Sequence, residues 1–303
     1  MKLSVCIPVY NFSVGDLVEA LAHEILRDEP AVEIIVVDDG SDEKFKTENR
    51  KIKNCRYHEL PQNVGRSAVR NLFLGYANGD YLLFLDCDAK VISDSFLQDY
   101  LAAIDRSMPA VLYGGFVPAK DEANNLRYRY SLEREIHPME YRLKHPYEVF
   151  KTINFAVRKD IFRKFHFDEC IRHYGYEDFV FAKTLEENSI DILQLDNPVL
   201  HDDRETNEIF LRKTERAVRT LAELAKSHPQ YVNDVRLLKA AQKLRKTPLL
   251  PLLFSNTIFR DMVKRKLLIG NASLRWLDLW KLGMLLRLIQ HKTVEDGPDG
   301  DEK

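Results

Sequence analysis

Acidic residues stand in pairs along this 303-residue chain, and three of the pairs fall where chemistry is done. Asp38 and Asp39 follow the apolar run VEIIVV, Asp86 and Asp88 flank Cys87 after YLLFL, and Glu177 and Asp178 close the stretch HYGYED. Two carboxylates held together repel, and either a proton or a hard divalent cation relieves the repulsion. In an extended segment Asp86 and Asp88 face one side and converge on one ligand, for which Mg2+ or Mn2+ carrying a diphosphate is the natural resident. The same Asp-x-Asp at a strand end also reads as a turn with an Asp cap. Between the first two pairs lies NVGRSAVRN, where Arg66 and Arg70 are four apart on one helix face. They can neutralise a phosphate or pair with the strand-end acids; a solvated helix face is the plainer reading. Glu177 and Asp178 fit a helix start, where acids serve as caps. A transfer to a hydroxyl also needs a carboxylate to take the proton, separate from those that hold metal, and Asp178 is the candidate base. His201, after NPVL, reads either as a satisfied surface residue or as a neutral imidazole beside carboxylates on a metal such as Mn2+.

The elements that must position these groups follow from periodicity. Short apolar runs alternate with amphipathic ones through the first half, the signature of βαβ units and a mostly parallel sheet. Strands are expected at 3–9, 32–37, 55–59, 81–85, 110–117, 152–157 and 190–195, and helices at 14–27, 65–77, 95–106 and 177–187. Residues 120–151 break the pattern with an aromatic, charged stretch that reads as a helix-containing loop over the sheet edge, and long insertions of this kind serve binding. Open parallel sheets bind ligands at the carboxyl ends of their strands, which is where the acidic pairs fall.

Composition bounds the rest. With 45% hydrophobic and 30% charged residues the chain can bury a full core. The formal charge of -2 hides a basic C-terminal segment: residues 236–292 hold thirteen Lys/Arg against Asp261 and Asp278, while 293–303 hold five acids and one Lys. We divide the chain into a catalytic domain at 1–206, basic amphipathic helices at 207–292 and a disordered acidic tail at 293–303. Four scattered cysteines form no C-x-x-C pair, which argues against a zinc knuckle, a redox motif or a disulfide framework and fits a reducing compartment. There is neither a signal-peptide pattern nor an apolar run long enough to span a bilayer, so a cytoplasmic protein is expected. In the C-terminal segment, Trp276, Leu279, Trp280, Gly283 and Leu286 or Arg287 recur at helical spacing. Such a helix either lies peripherally on an anionic membrane surface, on its cytoplasmic face, or packs on the catalytic domain with its basic face solvated. Nucleic acid is not expected, since no reader motif accompanies the charge.

Taken in order, SVCIPVYN, VVDDGSD, QNVGRSAVRN, LFLDCDA, TINFAVRKDIF, HYGYEDFVFA and NPVLH resemble the family-2 glycosyltransferases of the GT-A fold, over about the first 205 residues. Each motif alone is weak; the ordered set is specific. The resemblance implies an α/β, Rossmann-like, mostly parallel sheet flanked by helices, with a C-terminal helical extension. It implies an inverting, metal-dependent transfer of a hexose or N-acetylhexosamine from a UDP-sugar donor to a saccharide or lipid-linked saccharide acceptor, in surface polysaccharide assembly. In that likeness Pro8, Val9 and Tyr10 pack around the uracil and Asp38 reads its polar edge, with Asp39 in support. Arg70 and Arg66 approach the nucleotide or diphosphate, Asp86 contacts the ribose or metal, and Asp88 ligates the metal. Asp178 is the general base, Glu177 holds the acceptor or orients the base, and Asn154 lines the acceptor site. The Q-x-x-R-W signature and transmembrane helices of processive members are missing, which implies a single-addition enzyme.

Rival readings fail on particular residues. A haloacid-dehalogenase-type phosphatase needs its Asp-x-Asp on the first strand, and SVCIPVYN has no acid. A response-regulator receiver is about half as long, and a sugar nucleotidyltransferase needs a glycine-rich basic loop where NFSVGD stands. The non-enzyme alternative is a catalytically inactive glycosyltransferase-like scaffold or binding module at the membrane.

Overall fold

Strict alternation of apolar side chains on three consecutive parallel strands builds the centre of the molecule. The computed structural model describes residues 2–28, 31–121, 125–171, 174–245, 256–269 and 272–291, so the acidic tail expected at 293–303 lies outside the described residues. Strands β1 (Leu3–Val9), β2 (Val32–Asp38), β3 (Arg56–Glu59) and β4 (Tyr81–Leu85) alternate with helices α1 (Gly15–Asp28), α2 (Glu43–Asn49) and α3 (Arg66–Tyr76). After β4 come β5 (Ala89–Lys90), α4 (Phe96–Ser107), β6 (Val111–Tyr113) and β7 (Phe116–Pro118). One apolar face of the sheet is formed by Val5, Ile7, Val36, Leu83 and Leu85, which pack with residues of α1 and α4. The other is formed by Cys6, Ile35, Val37, Leu82 and Phe84, which pack with Val69 and Phe73 of α3. Because side chains on a strand alternate, both helical layers are written into the same residues.

The main sheet has the order β3-β2-β1-β4-β8-β6-β9, completed by β8 (Asn154–Arg158) and β9 (Ile192–Gln194). β1 to β4 are mutually parallel, and β8 runs antiparallel to both β4 and β6. The reversal places Asn154, at the start of β8, opposite Leu85, at the end of β4. The run expected as one strand at 110–117 is two strands that enter different sheets, broken at Gly114–Gly115. A side chain at Gly114 would meet Asn154 Nδ2 and the Tyr100 hydroxyl, so glycine is required there for close approach. A second sheet, β5-β10-β7, is closed by β10 (Val199–His201). Phe84 sits in an aromatic cluster: it stacks on Phe155 at 5.0 Å and meets Phe73 edge-on at 5.7 Å. Phe84→Ala would cost about 3–5 kcal/mol.

The chain divides into two units. The first comprises Met1–Lys120, Ser131–Arg172 and Glu177–Arg204, and contains both sheets. In the stretch 120–151 it holds a π-turn at Ser131–Glu135 and a short helix, Met139–Lys144, whose Arg142 bonds Gln194 of edge strand β9. The second comprises Asp121–Tyr130, His173–Tyr176 and Glu205–Lys303. Its longest helix, Asn207–Ser227, is capped by Thr206, whose side chain accepts from the Ile209 N–H. The last helix, Leu274–His291, turns Leu277, Trp280, Leu285 and Leu286 inward, each at most 2% exposed. Trp276, half-buried, lies under Lys266 at 4.4 Å. Of the two readings open for this helix, its tryptophans fit the packed one, with Trp280 buried and Trp276 half-buried. Exposed apolar side chains lie instead on and just after helix Thr257–Leu268, at Ile258 (80%), Met262 (55%) and Ile269 (71%). Among the described residues, no helix is long and apolar enough to cross a membrane.

Candidate active site

The β1 and β2 ends are locked together before any ligand is considered. The Asp39 N–H donates to the Val9 carbonyl at 2.7 Å, and the Ser41 hydroxyl accepts from the Asn11 N–H at 2.8 Å. Gly40 (φ +72°) lets this loop approach the next: a Cβ there would lie 2.5 Å from the Gln62 carbonyl carbon. Asp38 is fully buried, and its carboxylate accepts from the Ser41 N–H (2.7 Å) and the Tyr57 hydroxyl (2.9 Å). Burial first, and then that bond, raise the Tyr57 phenol far above its ordinary value. Asp39 accepts from the Val64 N–H (2.7 Å) and the Gly65 N–H (3.1 Å), fastening the loop that opens α3. Burial raises the Asp39 carboxyl in spite of both bonds. Of the three residues expected around a base, Val9 is in the core at 1% exposure, Pro8 is half-buried and Tyr10 is 53% exposed. Only Tyr10 of the three offers a broad open surface for stacking.

At the end of β4 the chain turns, and the Ala89 N–H donates to the Asp86 carbonyl at 3.0 Å. The extended geometry that would have aimed Asp86 and Asp88 at one point is absent, and each carboxylate has its own partner. Arg70, 2% exposed, donates from Nη2 to Asp86 Oδ1 at 2.6 Å, and its guanidinium lies 5.7 Å from the Phe167 ring centre. Asp88 Oδ2 is 3.3 Å from His201 Nε2, and the other ring nitrogen of His201 is 3.4 Å from Asp203 Oδ2. Burial works to raise the Asp88 carboxyl, but the bond and charge of His201 and the charge of Arg66 bring it below the usual value. Cys87 between them is a protonated thiol, pushed up to about 12 by burial first and by Asp88 and Asp86 next.

Among the described residues no three acids, histidines or cysteines form a metal cluster. The fit of a cation therefore rests on Asp88 and His201. In an octahedral site the neighbouring donor atoms lie about 3 Å apart, close to the Asp88–His201 separation. Asp203 stands beside the other ring nitrogen, on the side from which a carboxylate orients a metal-bound histidine. Two protein donors suit a hard cation that keeps waters and shares a diphosphate. Asp86 is engaged by Arg70.

The third acidic pair opens the helix Glu177–Glu187. It follows two residues with positive φ, Gly175 (+98°) and Tyr176 (+72°); the tyrosine is a strained conformation of the kind held at functional sites. Glu177 is 6% exposed and lies 3.5 Å from Arg66 Nη1, while its Oε2 has no hydrogen-bond partner among the described residues. Asp178 is 17% exposed and accepts from Lys151 Nζ at 2.7 Å. Arg66 thus bridges two of the acidic sites: it reaches Glu177 directly and acts electrostatically on Asp88 and Cys87.

Asn154 ties strand ends together. It is fully buried, accepts from the Tyr100 hydroxyl at 2.7 Å and donates to the Gly115 and Asn197 carbonyls at 2.9 Å each. Its amide is taken up by these three bonds. Lys151, Tyr57 and Asp203 are contacts of the candidate residues that the sequence did not reveal; Lys151 lies 27 residues from Asp178, with no spacing rule linking them.

Residues 4–166 match the description Glycosyl transferase family 2. An uncharacterized glycosyltransferase of Rickettsia felis is 37% identical over 90 residues, 29% of this chain and 15% of that protein. A poly(ribitol-phosphate) beta-glucosyltransferase of Bacillus spizizenii is 33% identical over 107 residues, 33% of this chain and 17% of that protein. The chain thus matches only a small part of the length of these two relatives. Among solved structures, S. aureus TarS 1-349 in complex with UDP-GlcNAc superposes with a TM-score of 0.56 at 19% identity, covering 97% of this chain and 92% of that one. A mannosyltransferase from Pyrobaculum calidifontis in complex with GDP-Man and Mn2+ superposes with a TM-score of 0.55 at 13% identity, covering 98% and 88%. Both share the fold.

Proposed function

This chain belongs to glycosyl transferase family 2, and from that premise we propose a single-addition, inverting transfer of a hexose or N-acetylhexosamine from a UDP-sugar to a saccharide or lipid-linked saccharide acceptor. The observation that carries the reading is the position of Arg66, 3.5 Å from Glu177 and within electrostatic reach of Asp88. It links a metal-and-diphosphate side to a proton-accepting side. On the first side Tyr10 stacks on the uracil, with Asp38 and Asp39 shaping its pocket, and Arg66 and Arg70 face the diphosphate. Asp88 and His201 would hold Mn2+ or Mg2+; the TarS complex with UDP-GlcNAc and the mannosyltransferase complex with Mn2+ support this by analogy of fold. When bound, such a cation neutralises charge building on the departing diphosphate.

On the second side Asp178 takes the proton of the acceptor hydroxyl as that oxygen attacks the anomeric carbon, and the diphosphate leaves with the electron pair of the broken bond. Lys151 orients Asp178, and Glu177 orients the acceptor. The name of the Bacillus spizizenii relative supports an acceptor in surface polymer assembly. Place of action in this reading is the cytoplasmic face of an anionic membrane, met by Ile258, Met262 and Ile269 beside Arg265 and Lys266. Residues 1–206 form the catalytic domain in this reading and 207–292 the membrane-facing helices.

The test is a screen of nucleotide sugars for Mn2+-dependent donor hydrolysis and transfer. UDP binding that is indifferent to Mn2+ both in the native chain and in Asp88→Ala would leave the scaffold reading standing. For the membrane step, flotation with anionic liposomes should be lost in Ile258→Ser/Met262→Ser; equal flotation of that variant would remove the step.

A further inference from the structure

The backbone that leads into the third acidic pair is fastened by one face of a helix. Gly175 (φ +98°) and Tyr176 (φ +72°) are consecutive left-handed residues, and Glu177 and Asp178 follow them directly. Such a backbone persists only where its surroundings over-determine it. Within the second unit, three residues of the helix Asn207–Ser227 meet the segment before the pair. Lys213 Nζ lies 5.9 Å from the centre of the Tyr174 ring, and a Cβ at Gly175 would lie 3.1 Å from the Ala217 Cβ. The hydroxyl of Thr220, a residue 3% exposed, lies 3.0 Å from the Tyr174 carbonyl. Positions 213, 217 and 220 are spaced i, i+4, i+7, which puts all three on one face.

The Thr220 proton has two carbonyls within reach. A mid-helix threonine ordinarily donates back to the carbonyl four residues earlier, and here that of Arg216 lies at 3.2 Å. The hydroxyl carries one proton, and its shorter approach is to Tyr174. The Arg216 carbonyl sits inside the helix, where the backbone supplies a donor, whereas Tyr174 lies outside any helix or strand, one residue before the left-handed pair. A displacement of about 1 Å in a reacting group can cost about 100-fold in rate, so the setting of this turn bears on chemistry.

We propose that Thr220 is a positioning residue for the acceptor step: by holding the Tyr174 carbonyl it fixes the turn at Gly175–Tyr176 that delivers Asp178 to the attacking hydroxyl. The role rests on the reading of Asp178 as the base. The test uses the full chain, with amide exchange read by mass spectrometry and Mn2+-dependent hydrolysis of UDP-glucose and UDP-GlcNAc, in which water takes the acceptor's place. Thr220→Val keeps the shape of the side chain and removes the hydroxyl. Exchange in the peptide covering 175–179 should rise about tenfold or more. The kcat for hydrolysis should fall about tenfold or more, while KM for the donor stays within about twofold. Thr220→Ser restores the hydroxyl and should return exchange and kcat to within about twofold of native. Gly175→Ala strains the same turn without touching the helix hydroxyl and should show the same split of kcat from KM, which keeps the role open to refutation if Thr220→Val does not fold. Donor KM rising in step with the fall in kcat, native kcat in Gly175→Ala, or no rescue by Thr220→Ser would overturn the role. Native exchange in folded Thr220→Val removes the fastening alone. A native chain that hydrolyses neither donor, or Asp178→Asn hydrolysing as fast as native, removes the base reading and the role with it, whatever the exchange shows.

Discussion

Two acidic pairs at neighbouring strand ends look alike in sequence and are used in opposite ways. Asp38 and Asp39 receive three backbone N–H groups and a tyrosine hydroxyl, and both are nearly inaccessible. Asp86 and Asp88 face the side chains of Arg70 and His201, and their side chains keep 23% and 29% of their surface. A carboxylate held by backbone amides is part of the scaffold, because those donors cannot swing away and would be orphaned by its loss. A carboxylate held by side chains can exchange partners with a ligand. By that criterion Glu177, paired with Arg66, joins the second class, and so does the Asp178 oxygen that Lys151 holds, the other oxygen accepting from the adjacent Phe179 N–H at 2.7 Å.

The comparison predicts that changes in the second class cost chemistry and spare the fold, while changes in the first do the reverse. The largest effect should come from Asp178→Asn, which removes the proposed base: transfer should fall by about 10²–10⁴-fold with the melting temperature nearly unchanged. Transfer within a few-fold of native would break the second class at its most important member. Next comes Asp39→Ala, which orphans the Val64 and Gly65 amides and should cost about 3 kcal/mol in denaturant unfolding. A loss below about 0.5 kcal/mol would mean that Asp39 is no more structural than Asp88.

Much of this molecule was readable in advance, for a physical reason: β1, β2 and β4 carry apolar residues on both faces, and the acids that follow sit where an open sheet exposes its ends. The failures share a cause as well. Convergence of Asp86 and Asp88 assumed that the strand continues, whereas the Ala89–Asp86 hydrogen bond turns the chain. The break at Gly114–Gly115 depends on Tyr100 and Asn154, distant in sequence, occupying the space a side chain would need. The tryptophan helix has a periodicity that serves a membrane face or a packed core equally well, and only burial distinguishes them. Lys151 carries no motif, because a cation pairs with whatever the fold brings near it.

A smaller effect sharpens the metal side. In Asp88→Ala the gain in UDP affinity on adding Mn2+ should fall by about tenfold or more, and chelation of the metal from the native chain should reproduce it. Melting without metal should match the native chain within about 0.5 kcal/mol. A large loss of stability in Asp88→Ala would move Asp88 into the scaffold class beside Asp39.

The smallest effect probes the scaffold through its one side-chain donor. Tyr57→Phe leaves Asp38 its bond from Ser41 but removes the hydroxyl at 2.9 Å, and should cost about 1 kcal/mol near neutral pH. Its pH dependence is the sharper signature. The Tyr57 phenol is raised in the folded chain, by burial first and Asp38 second, so the folded state binds this proton more tightly than the unfolded chain does. The stabilisation is therefore fully present below the unfolded value of about 10 and is lost as pH rises beyond it. The native chain should lose more stability than Tyr57→Phe above that point, and the gap between the two should close with increasing alkalinity. A gap that stays constant through pH 10 would mean that the hydroxyl does not hold Asp38 in solution, and that the scaffold pair rests on its backbone donors alone.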